Sequence, residues 1–197
     1  MNVKDIRQQY RLLRRRLSPQ TQIQNAELLK HNINSFLGFS NQLKIAAYIA
    51  TQGEISLNPW IADNLRQRVY LPKLYEIIAP QLRFAAMTES TRWGKNRFNI
   101  LEPDVHWGNT LHPRKLDVVL IPLVAFDRKG QRLGMGGGYY DRSLAFRLSH
   151  QKWFKPKLIG IAHSCQEHTG LPHQSWDVPL DYIITEDEII MPRQATN

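Results

Sequence analysis

Cysteine is nearly missing from the chain: Cys165 is the one cysteine in 197 residues. That excludes a disulfide framework within the chain and any zinc site built on several thiolates, and it points to a reducing, cytoplasmic setting. Long apolar runs are missing too. No uninterrupted stretch approaches the roughly 20 residues of a membrane helix, so no membrane association is expected. The opening segment MNVKDIRQQYRLLRRRLS lacks the apolar block and small-residue cleavage site of a secretory signal. Its Arg-rich, acid-poor composition also suits an organelle transit peptide, but a helical reading accounts for it better. Acidic residues are scarce, 17 against 26 Lys and Arg, which leaves a net charge of +9. Such an excess favours an anionic partner, and nucleic acid, phosphorylated cofactors and acidic small molecules all qualify. Neither internal repeats nor low-complexity tracts are present.

What is present is enough for a core: 42% of residues are hydrophobic and 10% aromatic, which excludes wholesale disorder. The length suits a single α/β domain spanning 1–197. Residues 3–17 predict an amphipathic helix with Ile6, Tyr10, Leu13 and Leu17 on the apolar face and Lys4, Arg7, Arg11 and Arg14 as an adjoining cationic stripe. Ser18-Pro19 ends it. A second helix is expected over 20–36, with Ile23, Ala26, Leu28, Leu29 and Ile33 inward and Gly38 closing it. Strands are expected at 43–50, at 68–72 closed by Pro72, and at 81–87, 116–126, 158–163 and 181–186. Helical composition lies at 56–67 and 140–152. Strands alternating with helices imply a mostly parallel sheet covered on both faces, a three-layer, Rossmann-like α/β sandwich.

Chemistry concentrates in Gly130-Gln-Arg-Leu-Gly-Met-Gly-Gly-Gly-Tyr-Tyr-Asp-Arg142. Its glycines let backbone N–H groups approach an anion, and the helix expected from Tyr139 adds its positive dipole end. No Lys-Ser/Thr follows, so it is not a Walker loop. Tyr139 stands where the dinucleotide fingerprint needs glycine. A bare glycine loop is as often a flexible turn. Arg132, which can neutralise phosphoryl charge, and Asp141, a hard oxygen ligand for Mg²⁺, favour a phosphate site. On the first helix, Lys4 and Arg7 lie one turn apart and suit a polyphosphate; basic helices also bind nucleic-acid backbones, but no nucleic-acid recognition motif accompanies this one.

These residues carry a resemblance. The opening Ile6-Arg7, Arg14 and Leu17-Ser18, the segment Tyr48-Ile-Ala-Thr-Gln-Gly-Glu54-Ile, Leu71-Pro72-Lys73, Asn99-Ile-Leu-Glu-Pro103, Ile121-Pro-Leu-Val-Ala-Phe-Asp127 running into Arg132-Leu-Gly-Met-Gly-Gly-Gly-Tyr-Tyr-Asp141, and Trp176-Asp177-Val-Pro-Leu-Asp181 together resemble the 5-formyltetrahydrofolate cyclo-ligase family. The likeness spans about residues 3 to 186, and the 121–142 stretch is its most specific part. The resemblance implies ATP- and Mg²⁺-dependent conversion of 5-formyltetrahydrofolate, with or without a polyglutamate tail, to 5,10-methenyltetrahydrofolate, with release of ADP and phosphate.

Carried over by position, Lys4, Asp5, Ile6 and Arg7 and the run Arg132, Leu133, Gly134, Met135, Gly136, Gly137, Gly138, Tyr139 and Tyr140 would contact ATP. Arg132 would be the transition-state cation, and Asp141 and Asp177 the metal ligands. Ile49, Glu54, Phe98, Met135 and Tyr139 would line the folate site, Glu54 accepting from the pterin edge and Phe98 stacking on the ring. Lys73, Lys95 and Arg97 are candidates for the glutamate tail. The chain departs from the pattern at Val3, where many members carry a lysine four residues before the arginine matched by Arg7. Lys4 stands one place later, so either Lys4 or Arg7 takes the phosphates. The resemblance implies small-molecule substrates, no nucleic acid and no membrane, and a monomer. Rival readings are a sugar-phosphate isomerase on a similar scaffold, a nucleic-acid-binding module and a non-catalytic folate-binding regulator. His163, His168 and His173, five residues apart, lack helical ligand spacing and are not expected to bind zinc. Cys165 reads as a packed thiol.

Overall fold

The computed structural model describes residues 2–38, 43–64, 68–76, 80–149 and 155–192. Two helices open the chain, α1 (Val3–Arg16) and α2 (Pro19–Leu37). Asn2 caps α1 by accepting from the Asp5 N–H at 2.9 Å. Ser18 both stops α1 and caps α2, accepting from the Thr21 N–H at 3.1 Å, with Pro19 in the first turn.

The strands follow: β1 (Lys44–Ala46), β2 (Arg68–Tyr75), β3 (Gln81–Ala86), β4 (Trp93–Lys95), β5 (Leu101–Pro103), β6 (Thr110–Leu111), β7 (Val118–Pro122), β8 (Ala125–Phe126), β9 (Arg132–Leu133), β10 (Lys157–Ile161), β11 (Tyr182–Ile184) and β12 (Ile189–Ile190). Between them lie the short helices α3 (Asn58–Asp63), α4 (Tyr139–Leu144) and α5 (Phe146–Ser149). The main sheet has eight strands in the order β12-β11-β10-β7-β1-β2-β3-β6. Strands β11, β10, β7, β1 and β2 run parallel, and the two flanks, β12 on one side and β3-β6 on the other, are antiparallel. The expected mostly parallel, helix-covered sheet is therefore present.

Each face of the sheet has its own core. Leu29, Ile33, Trp60 and Ile61 from α2 and α3 pack on one face over Ile45, Val69 and Leu120. Leu144 and Phe146 from α4 and α5 pack on the other over Val119, Ile121 and Leu158. A third, smaller core docks α1 onto the β8-β9 hairpin through Ile6, Tyr10, Val124, Ala125, Leu133 and Leu171. The hairpin turn is closed by buried Asp127, whose Oδ1 accepts from the Lys129 and Gln131 N–H groups (2.9 and 3.1 Å) and whose Oδ2 accepts from the Leu171 N–H (2.9 Å). This third core places α1 beside the strand ends rather than on a sheet face.

Several elements differ from the sequence reading. Beyond Ala46 the chain leaves the ladder to reach the 51–54 turn, so β1 is shorter than 43–50. Strand β2 runs past Pro72 to Tyr75. The backbone of residue 70 faces β1, and the Ala47 N–H, just past the end of β1, donates to the Tyr70 oxygen; Pro72, two residues on, therefore faces the same side after β1 has ended, where no N–H is required. The 116–126 stretch breaks after Pro122 into β7 and β8. The 56–67 helix is the short α3, with 65–67 outside the described residues, and the 140–152 helix is split into α4 and α5, with 150–152 likewise outside them. On α2, Ile23 and Leu28 are exposed, and Ala26, Leu29 and Ile33 face inward. On α1 the buried residues are Ile6, Tyr10 and Arg14, while Leu13 is exposed. The charged stripe thus supplies one member of the buried face.

Candidate active site

The C-terminal ends of β1 and β7 carry the two segments that meet: the 51–54 turn and, beyond the β8-β9 hairpin, the glycine-rich loop 134–138. Open parallel sheets place their ligand crevices at such ends. Glu54 closes its own turn. Its Oε2 accepts from the Thr51 N–H at 2.9 Å and from the Thr51 hydroxyl at 3.3 Å, and its Oε1 faces Arg14 Nη2 at 3.5 Å, with only 9% of the side chain exposed. Burial raises the Glu54 carboxyl above its ordinary range, opposed by Arg14 and the Thr51 donors.

The glycine loop is gripped from α1. Arg7 Nε donates to the Gly134 oxygen at 2.9 Å, and a side-chain carbon at Gly136 would lie 3.8 Å from the Arg7 guanidinium carbon. Gly138 has φ of 63° and forms the N-cap of α4, a left-handed position that favours glycine. Lys4 is exposed and shares a groove of about 370 Å³ with Arg7, Gln8, Arg11, Leu12 and Arg15. Asp5 is exposed in the first turn. Ile6 and Leu133 are buried in the α1-hairpin core. Ile6 also lines a cavity of about 530 Å³ with Gln131, His168, Leu171 and Pro172.

Arg132 is buried. Its Nη1 donates to the Val178 oxygen and its Nη2 pairs with Asp141 Oδ1 at 2.5 Å. Burial lowers the guanidinium pKa, while Asp141, Asp177 and Tyr140 act to hold it charged. Asp141 Oδ1 also accepts from the Val178 N–H at 3.3 Å. Asp177 Oδ2 accepts from the Gln174 N–H at 2.8 Å. The two expected metal carboxylates therefore both act on Arg132, and each has a second oxygen that takes no hydrogen bond from the described residues. No group of three or more His, Cys, Asp or Glu side chains suited to a metal occurs among the described residues. A pair of carboxylates fits Mg²⁺, which keeps waters and takes substrate phosphate oxygens in preference to a full protein cage.

Tyr140 links the two halves: burial pushes its phenol up, Glu54 adds to the rise and Arg132 opposes it. Tyr139 stands at the other edge. Phe98 meets it edge-on with ring centroids 5.8 Å apart, Arg97 Nη2 donates to its hydroxyl at 2.5 Å, and that hydroxyl donates to Glu76 Oε1 at 3.0 Å. Phe98 is 52% exposed and so is not a core residue. It is tied to the loop through Tyr139. Met135 is exposed at the loop crest, its Sδ accepting from Arg14 Nη2 at 3.8 Å. Ile49 is half-buried against the core beneath β1. Lys73 is bound to Glu102 at 3.1 Å and Arg97 to Glu76 at 3.0 Å, leaving Lys95 as the exposed tail candidate.

Two expectations outside the site resolve simply. Cys165 is exposed rather than packed; in its short turn the buried position goes to Gln166, whose amide donates to the Leu123 and Val124 oxygens, both at 2.9 Å. His163 is buried against the amides of Asn25 (2.9 Å) and Gln22 (3.2 Å). The residue that sequence reasoning missed is Arg14. The signals were its place in the N-terminal pattern of the resemblance and its spacing of four from Tyr10, which itself lies four from Ile6.

Fold and site together define an α/β protein with a glycine-rich loop at the strand ends and a buried carboxylate beside it. A model of the 5-formyltetrahydrofolate cyclo-ligase family matches residues 2–186. The chain is 35% identical over 180 residues to the 5-formyltetrahydrofolate cyclo-ligase of Escherichia coli K12, covering 89% of this chain and 96% of that one. It is 37% identical over 179 residues to that of Haemophilus influenzae, covering 89% and 92%. Among solved structures, the 5,10-methenyltetrahydrofolate synthetase of Aquifex aeolicus superposes with a TM-score of 0.81 at 29% identity, covering 100% of this chain and 96% of that one. The synthetase of Mycoplasma pneumoniae superposes with a TM-score of 0.70 at 30% identity, covering 94% and 99%. The chain belongs to the 5-formyltetrahydrofolate cyclo-ligase family and is a ligase.

Proposed function

We propose that the protein uses ATP and Mg²⁺ to convert 5-formyltetrahydrofolate to 5,10-methenyltetrahydrofolate, releasing ADP and phosphate. The observation that carries this reading is convergence on one loop. Arg7 holds the glycine loop at Gly134, while one residue along, Met135 touches the arginine that faces Glu54. A phosphate cradle and a buried carboxylate are thereby brought to the same few backbone atoms.

A formamide oxygen is a poor leaving group. Transfer of the γ-phosphoryl group to that oxygen makes it a good one and leaves an electrophilic carbon. N10 of the folate attacks that carbon and loses its proton, and the C–O bond breaks with the formyl oxygen departing in phosphate. The protein's part is positioning and charge stabilisation. Arg7 and the loop N–H groups would hold the phosphates, with Lys4 at the rim. The cavity beside Ile6, Leu171 and Pro172 suits the nucleoside, with apolar walls for the base. Asp141 and Asp177 would hold Mg²⁺, which neutralises phosphate charge when bound. Arg132, held charged by Asp141, would face the transferring group.

Glu54 would take the pterin edge. Its Oε2 is engaged twice by Thr51, so one ring donor would use Oε1, and a second would displace the long Thr51 hydroxyl contact at Oε2. Phe98 and Tyr139 would flank the ring. Lys95 is the exposed cation for a polyglutamate tail. In this reading residues 1–197 form one catalytic domain that acts as a monomer in the cytoplasm. The test is an absorbance assay with 5-formyltetrahydrofolate, with ATP and Mg²⁺ added or withheld in turn. The methenyl chromophore should rise in the near ultraviolet only with both present. A rise without ATP, or none with folate bound, would contradict the reading.

A further inference from the structure

We propose that Arg14 is the positioning residue of the folate half of the site, holding the Glu54 carboxylate in place and fastening it to the glycine loop. The inference rests on the reading of Glu54 as the pterin-binding carboxylate and goes beyond it. Arg14 lies within the charged stripe of α1, yet its side chain is fully buried. Every donor it directs is spent on a segment that builds the site. Nε donates to the Gln52 oxygen at 3.1 Å, in the Glu54 turn. Nη1 donates to the Leu123 oxygen at 2.9 Å, just past β7. Nη2 lies 3.8 Å from Met135 Sδ on the loop and 3.5 Å from Glu54 Oε1. Three segments distant in sequence are thereby tied to one planar group, the geometry for which arginine and not lysine is suited.

The backbone enforces the same approach. At Gly53, where φ is +79°, a side-chain carbon would sit 3.0 Å from the Arg14 carbonyl oxygen. The α1 helix thus lies against the turn so closely that only glycine fits. A merely structural arginine could satisfy the Gln52 and Leu123 oxygens with no carboxylate nearby. The placement of its remaining nitrogen between Met135 and Glu54 marks the functional role. The titratable and charged groups acting on this pair are Tyr48 beyond β1, Tyr140 on α4, and Arg11 and Arg15 on α1, with His163 on the far side of Arg14. Among the described residues Arg14 is the one cation acting on Glu54; the two phenols offer it no charge at neutral pH, so removing Arg14 takes that counter-ion from a buried carboxylate.

The test uses the full chain in five forms: wild type, Arg14→Met, Arg14→Lys, Glu54→Gln and the double variant Arg14→Met/Glu54→Gln. The Glu54 carboxyl carbon, assigned by its loss in Glu54→Gln, is followed by ¹³C NMR as pH is varied, with no substrate added. In Arg14→Met it should titrate about one pH unit higher than in wild type, or more. In Arg14→Lys, which keeps the charge and loses the fork, it should stay near wild type. The second readout is steady-state kinetics. Arg14→Met should raise KM for 5-formyltetrahydrofolate about tenfold or more, with a smaller change in kcat and in KM for ATP. Its folate KM should fall as pH rises over a range displaced to higher pH than in wild type. In the double variant the folate KM should be no worse than in Glu54→Gln alone.

An unmoved Glu54 titration in Arg14→Met, or losses that simply add in the double variant, would overturn the proposal. Should Arg14→Met not fold, Arg14→Lys decides. A wild-type-like titration with a raised folate KM supports positioning by the fork, and a wild-type-like folate KM overturns it. A wild type that binds no folate fails the reading of Glu54 instead, and the NMR titration still judges the pairing.

Discussion

His163 carries a clear acid signature. Burial, with Arg14 adding to it, pushes its imidazole down to about 4, whereas an unfolded histidine titrates near 6.5. Between those values the unfolded chain binds the extra proton and the folded one does not. Stability therefore falls as pH drops from about 6.5 towards 4, by at most about 1.4 kcal/mol per pH unit for this one group. Urea unfolding at several pH values should show this slope in wild type and a flatter one in His163→Gln. Parallel curves would contradict it. The ring's neighbours are the amides of Asn25 and Gln22, partners suited to a neutral imidazole. The residue scale is also where sequence reading was least complete. Arg14 read as one of several cations in a stripe beside the apolar face, because charge outweighs spacing when a helical face is read. The coupling of Arg132 with Asp141 was unreadable too, since nothing in their separation of nine residues says that β9 and α4 face each other.

At the scale of elements, the docking of α1 against the 51–54 turn is the joint on which the site depends. Gly53→Ala would set a side-chain carbon 3.0 Å from the Arg14 oxygen at a φ of +79°, strained in both respects. A stability loss of about 1–3 kcal/mol is expected, read by urea denaturation, together with a raised KM for folate because the same turn carries Glu54. Unchanged values for both would mean that the joint is softer than described. Element existence was legible in the sequence: α1 and α2 divide at Ser18-Pro19, and the expected strands are all present in shorter or longer form. Their ends were not legible, because they are set by neighbours. Strand β2 outruns Pro72 because β1 has already stopped on that side. The 116–126 run breaks because the chain must turn out of the sheet to form the hairpin under α1.

In the molecule as a whole, the proposed site lies at the ends of a parallel sheet, where a helix from the first part of the chain packs against a loop from its second half. The net charge of +9 gains a location in this arrangement. Lys4, Arg7, Arg11 and Arg15 line one groove of α1, next to the glycine loop that Arg7 holds, which suits a polyphosphate substrate and explains why composition alone left nucleic acid open. The proposed chemistry is that ATP activates the formyl oxygen, so that this oxygen leaves in phosphate. The most direct measurement starts from 5-formyltetrahydrofolate labelled with ¹⁸O in the formyl group. It is turned over with ATP and Mg²⁺, and the released phosphate is weighed by mass spectrometry. The account predicts one ¹⁸O in each phosphate formed along with a methenyl product. Unlabelled phosphate, with the label lost to water, would contradict it.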